Sequence, residues 1–240
     1  MTTTLMSATI SVVIPCYDQV KYLYRAVSSV AWQLRPGDEV VVIDDCSPQF
    51  VGFDSLSRFR DCIVCIRNES RKGVSFSRNR AILQCQAEWI KFLDADDVLA
   101  PYALDALRNS LRDMQPTVQV LVGGMHRVTD CQYCDYLEGT GDSFKSILNW
   151  NPFLPSTAFV RREALLNVGM FDEQIDFEED WDLWLKIHEK FGPSAFRAVR
   201  QPICYYWIQG ADRKKKKRTA LRDGIPVREY FRMRYGADPK

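Results

Sequence analysis

Short apolar runs alternate with segments of helical period through the first hundred residues. Residues 10–15 are too few for a helix and rich in β-branched side chains, which predicts a buried strand that ends at Pro15. Between 20 and 32 apolar residues recur at i, i+3, i+4 and i+7, which predicts a helix packing one face on a sheet. A turn at 35–38 then precedes a second predicted strand at 39–43. The order is β-α-β.

The same alternation continues to about residue 100. Further strands are predicted near 62–66 and 89–93, with a helix through 77–86 between them, and Pro101 suits the first turn of another helix. Repeated βα units predict an α/β fold: a Rossmann-like, doubly wound, mostly parallel sheet with helices on both faces. Ligands of such sheets bind at the carboxyl ends of the strands. The polar residues that follow each strand are therefore the candidates for chemistry.

The βα alternation weakens after about residue 114. A Gly-Gly pair at 123–124 and a polar stretch at 129–142 precede a strand and then a helix predicted around 162–167. We find no linker-like segment and no internal repeat in the sequence. We therefore predict a single domain over residues 1–240.

The composition is that of an ordinary globular protein. Lys plus Arg (32) and Asp plus Glu (31) leave a net charge of +1, which argues against a nucleic-acid partner. Cys62-x-x-Cys65 and Cys131-x-x-Cys134 have the spacing of zinc ligands, but the first pair falls in a predicted strand, which favours incidental thiols. No apolar stretch approaches the roughly 20 residues that span a bilayer. We expect a protein of the reducing cytoplasm that does not cross a membrane by itself.

Three carboxylates, those of Asp94, Asp96 and Asp97, follow the predicted strand at 89–93. Asp94 and Asp96 share one face of an extended chain, so both can point into one site. Close carboxylates repel each other unless a cation joins them, and hard oxygen ligands suit Mg²⁺ or Mn²⁺. The alternative is a group of helix-capping acids ahead of Pro101. The position after a buried strand favours the metal site.

Two other strand ends carry candidate ligand-binding groups. Asp44 and Asp45 end the second strand, where a carboxylate can accept hydrogen bonds from a base or a ribose; the alternative is an Asx turn through Asp45. Lys72, followed by Gly73 and later Arg78, supplies backbone amides and cations suited to a diphosphate. Taken alone, these cations are equally typical of a solvated helix start.

A second acidic cluster opens another predicted helix, and Glu179 and Asp180 lie in its first turn. One face of this helix is predicted to carry Trp181, Trp184, Leu185 and His188. Acids at a helix start stabilise the helix dipole by about 0.3–1 kcal/mol each without any catalytic role. A carboxylate beside aromatic side chains is also suited to general-base catalysis. The residues alone leave both interpretations open.

Five sequence blocks occur in a fixed order: ISVVIPCYD, VVVIDDCS, KGVSFSRNRAI, FLDADD and DFEEDWDLWLKI. The ordered set resembles the family 2 glycosyltransferases with the GT-A fold, from about residue 8 to about residue 210. The resemblance implies metal-dependent, inverting transfer of a sugar from a UDP- or dTDP-sugar to a glycan or lipid-linked glycan. It also implies a nucleotide-sugar-binding half at about 8–100, an acceptor-binding half at about 101–210 and a basic tail at 211–240.

The resemblance also implies roles for individual residues. Its nucleotide-sugar-binding residues are Pro15, Tyr17, Asp44, Asp45, Lys72, Arg78, Asp94 and Ala95. Asp94 and Asp96 correspond to the DxD pair, with Asp96 as the direct ligand of Mn²⁺ or Mg²⁺. Glu179 and Asp180 correspond to the catalytic acidic pair, in which Asp180 is the general base.

The end of the matched region departs from the family pattern. A His often follows a Tyr by three residues there and helps hold the metal or diphosphate, whereas Gln209 follows Tyr206 here. Because an amide replaces imidazole poorly as a metal ligand, a nucleotide-sugar-binding module without catalysis is the alternative function. The basic run 213–218 predicts either a solvated tail or contact with anionic headgroups at the inner face of the membrane.

Overall fold

The computed structural model of this 240-residue chain describes residues 8–49, 54–59, 61–128, 133–137, 146–207, 221–222 and 224–237. The strands are β1 Ile10–Cys16, β2 Glu39–Asp44, β3 Ile63–Arg67, β4 Trp89–Phe92, β5 Val98–Leu99, β6 Val120–Val128, β7 Tyr133–Leu137, β8 Ala158–Arg161, β9 Phe196–Trp207, β10 Leu221–Arg222 and β11 Ile225–Pro226. The helices are α1 Val20–Ala31, α2 Val74–Gln84, α3 Ala103–Leu111, α4 Arg162–Asn167, α5 Glu179–Phe191 and α6 Val227–Tyr235.

A 9-stranded sheet runs through the molecule in the order β3-β2-β1-β4-β8-β6-β9-β5, with β7 beside β6. The first four strands in that order are parallel. Strand β8 pairs antiparallel with both β4 and β6, while β6 and β9 are parallel to each other. The expected Rossmann-like, mostly parallel sheet is therefore confirmed, and its second half also includes antiparallel strand pairs.

Alternation along β1 explains why helices cover both faces of this sheet. Val12 and Ile14 pack in one apolar cluster with α1 and α3, whereas Val13 packs in another with α2, α4 and α5. Neighbouring strand residues point to opposite faces, so a strand covered on both sides must be apolar at every position. All seven residues of β1 are buried accordingly.

The predicted elements of the first half form within a few residues of their expected ends. The main shift is α2, which begins at Val74 because Gly73 adopts φ 96° at its N-cap. The prediction for the apolar face of α5 was wrong in part. Trp184 packs toward the sheet, whereas Trp181 and Leu185 form a separate small cluster with α6.

The C-terminal region differs from the expected tail over 211–240. Residues Val227–Tyr235 form α6, whose Val227 and Phe231 are buried against α5. The basic run 213–218 and Gln209 lie outside the described residues. No helix within the described parts of the chain is long and apolar enough to span a membrane.

Candidate active site

A cleft of about 900 Å³ opens at the carboxyl ends of β1, β2 and β4. Most of the residues expected in the site line it, namely Pro15, Tyr17, Asp45, Lys72, Arg78, Asp94, Asp96, Glu179 and Asp180. Parallel strands bring these residues together because their carboxyl ends meet at one edge of the sheet. The start of α5 and the segment that precedes it form the opposite wall.

Asp45 organises the loop before α2 on one side of the cleft. One of its oxygens accepts hydrogen bonds from the backbone N–H of Lys72 at 2.8 Å and from Asn68 Nδ2 at 2.7 Å. The other accepts from the N–H of Gly73 at 2.8 Å. Gly73 adopts a left-handed φ beside this carboxylate, where a side chain would strain the backbone. This ties the end of β2 to the start of α2.

Two of the expected binding residues do not line the cleft. Asp44 is buried, and its carboxylate is taken up by Arg67 and by the backbone and side chain of Ser47. Ala95 is buried within the apolar cluster beneath the cleft. Asp44 forms an Asx-type turn with Ser47, and of the two acids it is Asp45 that faces the cleft; the roles of Asp44 and Ala95 in nucleotide binding stay predictions.

Arg78 joins the two acidic motifs of the cleft. Its guanidinium contacts Asp94 Oδ1 at 2.9 Å and Glu179 Oε1 at 2.8 Å, although these acids stand 16 and 101 residues away along the chain. The arginine side chain is only 4% exposed. Burial opposes the charge of Arg78, but Asp94 and Glu179 outweigh it and raise the pKa of the arginine. A permanent cation thus fixes the spacing between the two motifs.

The Asp94–Asp97 turn is held by contacts to its backbone and side chains. The N–H of Asp94 donates to Ser156 Oγ at 3.0 Å, and Gln19 Nε2 donates to Asp96 Oδ2 at 2.7 Å. Arg25 donates to the carbonyl of Asp96 at 2.9 Å. Burial, reinforced by Asp94, raises the pKa of Asp97 to about 8. The turn therefore presents Asp94 and Asp96 to the cleft while Asp97 stays buried behind them.

Asp180 lies in the first turn of α5, on the wall opposite this turn. Its side chain is almost fully buried, and its carboxylate accepts a hydrogen bond from the N–H of Trp181 at 2.9 Å. Burial first, and then the neighbouring Glu179, raise the pKa of Asp180 to about 7; Asn151 and Arg78 act in the opposite direction. A carboxylate with a pKa near neutrality is well matched to accepting a proton from a hydroxyl group.

A positive edge faces these acids across the cleft. Arg71 lies over the ring of Tyr17, 4.0 Å from its centroid, and Lys72 and the N-terminal turn of α2 continue the same edge. A helix N-terminus carries partial positive charge and free N–H groups, which suit a phosphate. The cleft thus has one end suited to an anion and one end lined by carboxylates.

Several residues of the site carried no recognisable signal in the sequence. The fold brings Gln19 and Asn151 to the acidic groups. Gln19 and its partner Asp96 lie 77 residues apart in the sequence. A role that depends on so distant a partner leaves no local sequence pattern. Two other residues could have been noted: Arg71 precedes Lys72 in the same basic block, and Phe177, which is 46% exposed on the wall ahead of α5, lies in the fifth sequence block.

The donor atoms of the cleft are compatible with a divalent cation. Among the described residues no three His, Cys, Asp or Glu side chains are grouped as a protein-only metal site. Cys131, which the sequence pairs with Cys134, lies outside the described residues. Asp94 and Asp96 nevertheless present hard oxygen atoms in one turn. Mg²⁺ and Mn²⁺ commonly use one or two carboxylates and complete their shell with water and phosphate oxygens. Two carboxylates therefore fit this kind of site.

Comparisons with known proteins agree with this architecture. The chain is 23% identical over 206 residues to an uncharacterized glycosyltransferase of Haemophilus influenzae, covering 82% of this chain and 67% of that one. It is 26% identical over 187 residues to the Escherichia coli UDP-Glc:alpha-D-GlcNAc-diphosphoundecaprenol beta-1,3-glucosyltransferase WfaP, covering 75% of this chain and 70% of that one.

Among solved structures, S. aureus TarS in complex with UDP-GlcNAc superposes with a TM-score of 0.75 at 20% identity, covering 94% of this chain and 66% of that one. The TarS complex with UDP gives a TM-score of 0.68 at 23% identity, and this chain spans 60% of that one. These likenesses show the fold. The model of the family described as glycosyl transferase family 2 matches residues 11–166, about two thirds of the sequence. The chain belongs to glycosyl transferase family 2.

Proposed function

We propose that this cleft transfers a sugar from a UDP-sugar to a hydroxyl group of a glycan or lipid-linked glycan, with inversion at the anomeric carbon. The observation that carries the proposal is the bridge through Arg78, because it brings the Asp94–Asp96 turn and the Glu179–Asp180 pair into one site. A donor site and a base are then close enough to act on the same molecule. A module that only binds nucleotides would not need a base beside the donor site.

The positive edge supports a nucleotide diphosphate as the donor leaving group. Lys72 and the start of α2 offer charge and N–H groups to the diphosphate, and Tyr17 with Asp45 lies nearer the ends of β1 and β2, where a nucleoside fits. Solved structures of TarS contain UDP or UDP-GlcNAc, and WfaP is named for UDP-Glc. We take UDP as the nucleotide to test first, with dTDP second.

Asp180 acts as the general base in this proposal. Its carboxylate accepts the proton of the acceptor hydroxyl as the hydroxyl oxygen attacks the anomeric carbon. The bond from that carbon to the diphosphate breaks on the opposite face, which inverts the configuration. Arg78 holds the neighbouring Glu179 in place beside Asp180 through its ion pair.

Asp96, with Asp94 beside it, would hold the Mn²⁺ or Mg²⁺ that the family resemblance implies. When bound there, the cation would neutralise charge on the departing diphosphate. Gln19 restrains the Asp96 side chain by its hydrogen bond, so the carboxylate is already oriented before any ligand arrives. Preorganisation of this kind lowers the cost of assembling the site.

A lipid-linked acceptor would place the protein at the inner face of the membrane. WfaP is named for an acceptor that carries a diphosphoundecaprenol group. The basic run 213–218, which the structure does not describe, is the part of the sequence best suited to anionic headgroups. Cytoplasmic location with peripheral membrane contact therefore remains part of the proposal.

Replacement of Asp180 by Asn tests the proposal most directly. The amide keeps the size of the side chain but cannot take up a proton, so we expect UDP binding to persist while UDP release from UDP-GlcNAc or UDP-glucose falls by about 100-fold or more. Glu189→Gln, a matched change at an exposed position of the same helix, should leave both unchanged. Near-normal turnover by the Asp180 variant would refute its role as the base. Absence of UDP binding by the unaltered protein would refute the donor.

A further inference from the structure

The described part of the C-terminal region packs against the first turns of α5, where the candidate base resides. The ring of Phe231 meets Trp181 edge to face at 5.2 Å between centroids. Tyr235 donates its hydroxyl proton to Asp182 Oδ1 at 2.8 Å. Trp181 and Asp182 directly follow Asp180, so α6 touches the chain immediately beyond the base.

A third contact reaches the chain immediately before the base. Arg228 of α6 donates from its terminal nitrogen to Glu178 Oε1 at 2.7 Å, and its Nε lies 3.2 and 3.3 Å from the two oxygens of the same carboxylate. This is the forked geometry that an arginine forms with a carboxylate. The Glu178 side chain is 12% exposed and Arg228 is 55% exposed, so the pair is half shielded from water.

Glu178 has an unusual backbone conformation. It adopts φ 64°, in the left-handed region that non-glycine residues rarely occupy, and it is the N-cap of α5. Its carbonyl accepts the N–H of Asp182 at 3.1 Å, which closes the first turn around Asp180. A strained residue of this kind persists only when its surroundings hold it there.

We propose that Arg228 is a positioning residue for Asp180, acting through Glu178, so that α6 sets the orientation of the candidate base. Arg78 restrains the first turn of α5 through Glu179, and Arg228 restrains it through Glu178. The consequence for catalysis rests on the proposed function. The consequence for the first turn of α5 does not.

Hydrogen exchange of the intact chain tests the structural part. We expect faster exchange of the amides at 179–183 in Arg228→Ala than in the unaltered protein. Arg234→Ala provides the matched control, since Arg234 pairs with Glu189 farther along the same two helices, at 2.7 Å. Equal protection of 179–183 in the two variants would overturn the proposal. Should the alanine variant fail to fold, Arg228→Lys against Arg234→Lys makes the same comparison, because lysine keeps the charge but loses the fork.

Release of UDP from UDP-GlcNAc tests the catalytic part. Small misplacements of a reacting group cost up to about 100-fold, so we expect Arg228→Ala to lower kcat by about tenfold with little change in the KM for donor. Arg234→Ala should leave both parameters unchanged. In a Glu178→Ala background, removal of Arg228 should have a much smaller effect on kcat, because the contact between the two side chains is already lost.

The outcomes separate this proposal from the proposed function. An equal loss of kcat on removing Arg228 with and without Glu178 would overturn the route through Glu178. If the unaltered protein releases no UDP from any donor in the presence of glycan and lipid-linked glycan acceptors, the transfer function fails, while the exchange comparison still decides whether Arg228 holds the first turn of α5.

Discussion

The protonation of Asp180 should control turnover across the neutral pH range. Burial and the adjacent Glu179 raise the pKa of this carboxyl group to about 7. A general base works only when deprotonated, so turnover should fall as the pH drops through that value and level off above it. A carboxyl group with the ordinary pKa of 3.8 would already be fully ionised and give no such dependence.

The magnitude follows from the fraction of Asp180 that is ionised. With a pKa near 7, Asp180 is ionised in about one tenth of the molecules at pH 6 and in about nine tenths at pH 8. The kcat should therefore rise about tenfold between these two values. The assay is UDP release at saturating donor concentration from pH 5 to pH 9, with UDP binding measured at each pH to exclude a change at the donor end.

Asp97 is the nearest alternative source of such a profile, since burial raises its pKa to about 8. The variant Asp97→Asn separates the two groups. Its side-chain oxygen can still accept the N–H of Trp207, which Asp97 Oδ1 accepts at 3.2 Å. We expect this variant to keep the rise centred near pH 7. A kcat that stays level between pH 6 and 8, or a rise that disappears in Asp97→Asn, would refute the assignment to Asp180.

Three further outcomes are expected. Asp96→Ala should remove the Mn²⁺-dependent part of UDP binding in calorimetry, whereas Asp113→Ala, at an exposed position away from the cleft, should not. Equal affinities of the two variants for UDP in the presence of Mn²⁺ would contradict the metal assignment. Arg78→Met leaves Glu179 without its partner, so the free energy of unfolding should fall by about 3 kcal/mol and the Tm by roughly 6–12 °C. The exposed counterpart Arg234→Met should cost less than about 1 kcal/mol, and equal losses contradict the role of Arg78. Neutralising 213–218 should weaken binding to phosphatidylserine vesicles but not to phosphatidylcholine vesicles, and unchanged binding contradicts membrane contact.

Local patterns were sufficient for the first half of the fold. Strands β1, β2 and β4 are short apolar runs that end in polar residues, and α1 carries a regular apolar stripe, so each element follows from its own period. The carboxyl ends of parallel strands share one edge, which is why the sequence alone predicts Asp45, Asp94 and Asp96 in one site.

The order of the second half could not be predicted in the same way. Strand β8 joins β4 and β6 by antiparallel pairing, and β9 lies beside β6, although these strands are separated by long stretches of chain. Pairing of distant strands depends on which faces remain uncovered after the first half has folded. The helix α6 is a similar case, because its partner surface on α5 exists only in the folded protein.

Residues close together in the chain are enough to indicate the βα order and the acids of the cleft, and the five ordered sequence blocks indicate the family. Tertiary structure decided which acids remain available. Arg67 pairs with Asp44 and leaves Asp45 to the cleft, and Arg78 pairs both with Asp94 and with Glu179, which lies 101 residues further along the chain. It also raised the pKa of Asp180, because burial acts on a charge only after the chain has folded around it.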